Sequence, residues 1–133
     1  MTGKEIANYS VCLVKDCVVD AETPMDPVTI YEEVIVLCKM EEGFFANRAY
    51  REIPDYFNEK IPQEKYINAN NEEVCVSVVA VIDYFEILDS VIFEDMAEVY
   101  SRHFIEPPGT ELEVVISKYY SDFSLEKALI KSS

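Results

Sequence analysis

Between Asn8 and Val19 apolar side chains fall on both parities of the chain, with Tyr9, Val11 and Leu13 on one and Cys12 and Val14 on the other. β-Branched and aromatic residues in such a run favour a strand. Asp20–Pro27 holds Asp, Glu, Thr and the prolines Pro24 and Pro27, which is loop chemistry. Val28–Met40 reads as a second strand around Val34-Ile35-Val36-Leu37-Cys38, and the two strands are expected to pair as an antiparallel hairpin with a wide connection. The period then changes. Phe45, Ala49, Ile53 and Tyr56 recur at helical spacing, flanked by Ala46, Tyr50 and Phe57, so an amphipathic helix over Glu41–Ile53 is expected to lie on the sheet. Glu41 and Glu42 suit its positive N-terminal end. Pro54 disfavours helical geometry at Ile53 and marks a kink or stop there, with a short further turn through Asn58.

Ile61–Asn71, with Pro62 and the cluster Asn68-Ala69-Asn70-Asn71, reads as loop or turn. Glu73–Leu88 is the clearest strand. Val74, Val76, Val78, Val79, Val81 and Ile82 make it almost continuously apolar, as for a central strand covered on both sides. Met96–Ile105 is a fourth strand, closed by Pro107-Pro108-Gly109. Thr110–Tyr120 fits a strand (Leu112, Val114, Ile116) or a helix (Leu112, Val115, Tyr119), its Val and Tyr content pulling toward strand, and Ser124–Ile130 a short helix with Ser124 as its N-cap. The expected fold is α+β: an antiparallel sheet of four to five strands with one main helix on one face. Residues 1–133 are expected to form a single domain, its core about residues 9–105 and residues 106–133 a C-terminal extension.

Charge changes this picture most. The 133 residues carry 26 Asp and Glu against 11 Lys and Arg, a formal net charge of −15. Such a chain repels the phosphates of nucleic acid and anionic membrane surfaces, and attracts basic partners. The plainer reading of the same acidity is solubility. The longest apolar runs are strand-sized and no apolar segment follows Met1–Tyr9, so neither a membrane span nor a signal peptide is expected, and a cytoplasmic location is.

Chemistry-bearing motifs are scarce. Cys12, Cys17, Cys38 and Cys75 lie in apolar stretches without a close-spaced pair, so buried thiols are expected rather than a metal site. His103 has no recognisable nucleophile partner. Glycine occurs only at 3, 43 and 109, which excludes phosphate-cradling loops. No cofactor is implied.

Tyr31-Glu32-Glu33, Lys65-Tyr66-Ile67-Asn68-Ala69, Val81–Ile87 and Glu98-Val99-Tyr100-Ser101-Arg102, in this order of elements, resemble a family of small bacterial domains of unknown function with a terminal Glu-Val-Tyr-Ser-Arg strand. The resemblance covers about Tyr9–Phe104. Asp95-Met96-Ala97 stands where that family has a glycine-containing turn. The resemblance implies the fold and a bacterial origin, and supplies no mechanism.

Two constellations remain. Glu98, Tyr100 and Arg102 alternate along one strand and are expected to share a face, as are Tyr31 and Glu33 on another. If those strands are neighbours, Glu33 and Arg102 can form a structural ion pair, or Arg102 can clamp a carboxylate or phosphate. Secondly, Ile82–Glu113 holds nine acids and Arg102 as its only Lys or Arg, with aromatic residues interleaved. Asp83, Tyr84, Glu86, Asp89, Glu94, Asp95, Glu98 and Tyr100 therefore suggest a surface for a cationic protein, in which aromatics anchor and carboxylates steer. The resulting expectation is a non-enzymatic, acidic protein-binding module, such as an immunity protein that occludes a basic nuclease-type toxin. The alternatives are a cytoplasmic adaptor or small-ligand domain whose acidity is incidental, and, well behind, a weak enzyme built on Glu98, Tyr100 and Arg102.

Overall fold

The apolar alternation of the long segments becomes one antiparallel sheet in the computed structural model, which describes residues 5–46, 52–61, 64–88, 92–120 and the backbone of 129–130. Its strands are β1 (Ile6–Val19), β2 (Thr29–Glu41), β3 (Glu64–Ile67), β4 (Glu73–Ile87), β5 (Ala97–Glu106) and β6 (Leu129–Ile130), with helices α1 (Ile53–Lys60) and α2 (Leu112–Tyr119). The spatial order is β3-β4-β1-β2-β5, and β6 also pairs with β4. The expected hairpin of the first two strands is present, with Tyr9 opposite Cys38 and Val14 opposite Glu33.

β1 and β4 lie inside the sheet, which is why their sequences are apolar on both parities. On one face Val11, Leu13, Val34, Val36, Cys38, Val78 and Val81 form a core with Phe44, Phe45, Ile53 and Phe57. On the other, Val14, Tyr31, Ala80, Ile82 and Phe104 pack against Val115, Ile116 and Tyr120. Two short helices thus cover opposite faces, instead of one main helix covering one. The second core also reaches well past Ile105, since α2 and Tyr120 belong to it.

β4 reconciles its apolar run with these two faces through irregularity. Leu13 pairs with Val81 but Cys12 with Asp83, and Val14 pairs with Ala80 but Lys15 with Val78. Each shift inserts an extra residue on β4, first Val79 and then Ile82, and a bulge of this kind changes which parity faces which core.

The helix expected over Glu41–Ile53 is corrected. Glu41 is still strand, held opposite Ile6, and the ladder extends through the Glu42 amide donating to the Glu5 carbonyl at 2.8 Å. Gly43 then takes a positive φ of 79° in a turn over Glu42–Ala46. Pairing with β1 overrides the helical spacing, and a positive φ there suits glycine. The stripe is nonetheless used: Phe45 arrives from the turn and Ile53 and Phe57 from α1, all in one core. Ala49 lies outside the described residues. Pro54 sits in the first turn of α1, where its missing N–H costs nothing, with Asp55 beside it and Lys60 in the last turn.

Within the expected loop Ile61–Asn71, Glu64–Ile67 pairs with Glu73–Val76 as a short exposed strand. The asparagine cluster makes the turn: Asn68 Oδ1 accepts from the Asn70 and Glu72 amides, and Asn71 adopts φ 59°. Against the pull of its Val and Tyr content toward strand, Thr110–Tyr120 forms a helix, because Leu112, Val115, Ile116, Tyr119 and Tyr120 fall on one face against the sheet. At the end of the expected helix Ser124–Ile130, Leu129 and Ile130 instead pair with Val81 and Ala80 as a strand, and Ser124 lies outside the described residues.

Phe57 is completely buried between α1 and β4. Phe57→Ala is expected to destabilise the fold by about 3–5 kcal/mol in urea titrations read by circular dichroism. A loss below about 1 kcal/mol would show that α1 is not part of the cooperative core.

Candidate functional site

On the face covered by α2, β2 and β5 place Glu33 directly opposite Arg102. Arg102 donates from Nε to Glu33 Oε1 at 2.9 Å and from its second terminal nitrogen to Oε2 at 3.4 Å. The Glu33 carboxylate is buried, and the Tyr120 hydroxyl donates a short hydrogen bond to Oε2. Burial, and then this bond to a carboxylate, push the Tyr120 phenol far above its ordinary range. Arg102 also lies over the Phe104 ring, 4.7 Å from its centroid, and Tyr119 stacks on the same ring at 4.0 Å. Where α2 joins β5, the buried Glu106 accepts from Lys118 Nζ at 3.0 Å and from the Tyr119 hydroxyl at 2.5 Å.

Beside Tyr120 a mostly apolar cavity of about 230 Å³ opens between Ser10, Cys12, Ile35, Ile82, Asp83 and Phe85. Its thiol is not a nucleophile at neutral pH. Burial first, then the nearby charges of Glu33 and Asp83, push Cys12 up to about 12. Burial does the same to Cys17 and Cys38, each pushed up to about 12. Arg102 is committed to Glu33 and so is not a free clamp for a substrate carboxylate or phosphate. Among the described residues no group of His, Cys, Asp or Glu gathers to hold a metal ion.

The expectation that Glu98, Tyr100 and Arg102 share a face is corrected. Ile35 pairs with Tyr100 but Val36 with Glu98, so Val99 is an extra residue on β5. Opposed residues of an antiparallel pair share a face. Glu98 therefore lies with the Val36 core and Tyr100 and Arg102 lie on the opposite face. These three side chains do not converge.

The acidic set divides in the same way. Asp83 pairs with Cys12 and lies on the α2 face, together with Tyr100. Tyr84 and Glu86 pair with Val11 and Tyr9 on the α1 face, where Tyr84 stacks on Phe45 at 3.7 Å. Asp95 is used locally: its Oδ1 accepts from the Lys39 amide at 2.7 Å. Glu94 is exposed in the loop before β5, and Asp89 lies outside the described residues. The strands carrying Asp83 and Tyr100 are separated by β1 and β2, roughly 14 Å at normal strand spacing. Hence the described members of this set do not make one contiguous face.

The α1 face holds a further polar cluster that the sequence did not signal. Lys15 is buried and its Nζ lies 3.8 Å from a Glu64 carboxylate oxygen. His103 Nε2 lies 3.3 Å from Glu32 Oε2, and burial holds the Glu32 carboxyl above its usual range. Tyr120, Lys118 and Tyr119 were equally invisible as partners of Glu33 and Glu106, because the conformation of their segment was open. The Leu112, Val115, Tyr119 spacing was the available signal.

Among the described residues no helix is long and apolar enough to cross a membrane. Comparison with family models, with curated proteins and with solved structures found no match.

Two measurements check this description. With Cys12 and Cys38 near 12, about one thiol in ten thousand is ionised at pH 8. Native-state labelling at these positions is expected to be slower than in denaturant by at least about a hundredfold, read by mass spectrometry; equal rates would refute their burial. The Tyr119 hydroxyl and Lys118 hold the Glu106 carboxyl below its usual range. The stabilisation from this pairing is therefore present above the ordinary carboxylate pKa and lost as pH falls through the lowered folded value. Tyr119→Phe is expected to destabilise the protein at pH 7, with the gap to wild type closing below about pH 4. A gap independent of pH would place the Tyr119 contribution in packing alone.

Proposed function

We propose that this chain is an acidic protein-binding module that works in the cytoplasm by docking a basic partner, an immunity-type inhibitor of a basic nuclease domain being the most specific form of that reading. One observation carries it. The chain has a formal net charge of −15, and among the described residues each Lys and Arg is already engaged. Lys15, Lys65, Arg102 and Lys118 face Glu64, Glu73, Glu33 and Glu106, while Lys39 and Lys60 lie over the rings of Phe93 and Tyr56. The surplus of carboxylates gives the molecule a net negative field, which speeds encounter with a cationic protein and rejects nucleic acid. The polar groups that could have performed chemistry satisfy one another: Arg102 neutralises Glu33, and the Cys12 thiol is protonated.

Because Asp83 and Glu86 lie on opposite faces, contact is expected to engage one face. Binding to a purified basic nuclease domain, with its activity as a second readout, tests this. Asp83→Asn and the pair Glu86→Gln with Glu98→Gln separate the faces. One set is expected to weaken binding several-fold and the other to leave it unchanged. Raising salt from about 50 to about 200 mM should weaken it at least about tenfold. Binding indifferent to both sets and to salt would remove the proposal.

A second reading, a small-ligand domain, is favoured by another feature. A largely apolar cavity of about 350 Å³ is lined by Cys17, Val19, Val28, Ile30 and Ile105 together with Asp26 and Asn68–Asn70. That size suits a small apolar molecule.

A further inference from the structure

The two edges of the sheet are treated differently. The outer edge of β4 is occupied at three successive places: β3 pairs with Glu73–Val76, the Asn58 side-chain amide bonds both the N–H and the C=O of Val78 at 2.7 and 2.8 Å, and β6 pairs with Ala80 and Val81. Asn58 thus stands in for the strand residue missing between β3 and β6. At the opposite edge, β5 runs for 10 residues, and no described residue pairs with its outer side. Past the bulge at Val99 its ladder is regular, residue for residue, from Tyr100 opposite Ile35 to Glu106 opposite Thr29.

Open edges of this length are normally blunted by Lys, by Pro or by charges aimed at an incoming strand. β5 has no Lys and no Pro. Arg102 and His103 reach across to β2, Arg102 onto Glu33 and His103 towards Glu32. Val99, Tyr100 and Ile105 are 57%, 45% and 66% exposed, beside the half-exposed side chains of Arg102 and His103. Exposed carboxylates stand at both ends, Glu98 before the regular stretch and Glu111 and Glu113 after the Pro107–Gly109 turn.

We infer that the outer edge of β5 accepts an extended, basic segment of the partner protein as an added strand. Main-chain hydrogen bonds supply the attraction and alternate side chains supply selectivity, as in other strand-addition complexes. A second copy of this chain is disfavoured as the occupant, because it would bring another −15 to the same edge. An incoming segment with alternating Lys or Arg matches Glu98, Glu111 and Glu113. This inference rests on the basic-partner reading and adds where and how that partner docks.

The test uses the full chain and a ten-residue peptide of alternating Lys and Val, beside the same peptide with every backbone amide N-methylated. Both have the same charge, and only the first can form a ladder. Titration calorimetry at low ionic strength is expected to give binding at least tenfold tighter for the unmethylated peptide, with slowed amide hydrogen exchange confined to β5. Val99→Lys with Ile105→Lys should abolish that preference. Ile6→Lys with Met25→Lys, an equal charge change at exposed positions away from β5, should preserve it. Equal binding of the two peptides, or an equal loss in both doublets, overturns strand addition and leaves the basic-partner reading standing. Failure of both peptides to bind wild-type protein overturns that reading as well. Protection on an element other than β5, or a wild-type dimer joined through β5 in sedimentation experiments, overturns the inference alone.

Discussion

β1 is apolar on both of its sides. Val11 and Leu13 point to one face, Cys12 and Val14 to the other, and hydrogen-bonded strands flank it on both edges. Neither face can be left to water, because each fully buried Val or Leu is worth about 1.5–3 kcal/mol relative to its exposed state. That constraint explains the rest of the architecture. One face is closed by Phe44, Phe45, Ile53 and Phe57, the other by Val115, Ile116 and Tyr120. The second closure carries a polar latch: Tyr120 reaches Glu33, whose charge is balanced by Arg102, and Lys118 and Tyr119 hold Glu106. A buried carboxylate is tolerated only when so paired. The Glu33–Arg102 arrangement therefore belongs to the fastening of α2 to the sheet.

How far the sequence reveals this depends on the range of the forces involved. The long strands were legible because period-two patterning and β-branched content act locally: Asn8–Val19 and Glu73–Leu88 differ from β1 and β4 by a residue or two. Glu41–Ile53 misled because Phe45, Ile53 and Tyr56 do face one core at helical spacing, yet Glu41 is held extended by a partner at Ile6, far away in sequence. Leu129–Ile130 likewise becomes strand only because β4 supplies the other half of the ladder. No local pattern reports a distant partner.

The candidate site was legible in part, and for a related reason. Strand patterning allowed Glu33 and Arg102 to pair only if their strands were neighbours, and the β2–β5 ladder supplies that condition. Glu98 could not be placed from parity, because one extra residue at Val99 turns it to the other face. The acidic stretch failed as a surface for the same cause on a larger scale. A linear cluster stays a cluster only if consecutive elements are neighbours, and β4 and β5 have β1 and β2 between them.

What survives is a property independent of register. Net charge does not change when residues exchange faces, and Lys15, Arg102 and Lys118 each stand against a carboxylate. Surplus like charge works against compaction through self-repulsion. The fold meets that cost with two apolar cores, and it sets Arg102 and Lys118 against the buried carboxylates of Glu33 and Glu106. Arg102 and His103 are engaged with Glu33 and Glu32 on β2, and β5 carries no Lys of the kind that ordinarily discourages an added strand. Thus the distribution of cations that fastens the interior also leaves one sheet edge unguarded, and an edge in a strongly negative field discriminates by charge: it repels a copy of itself and admits a basic strand.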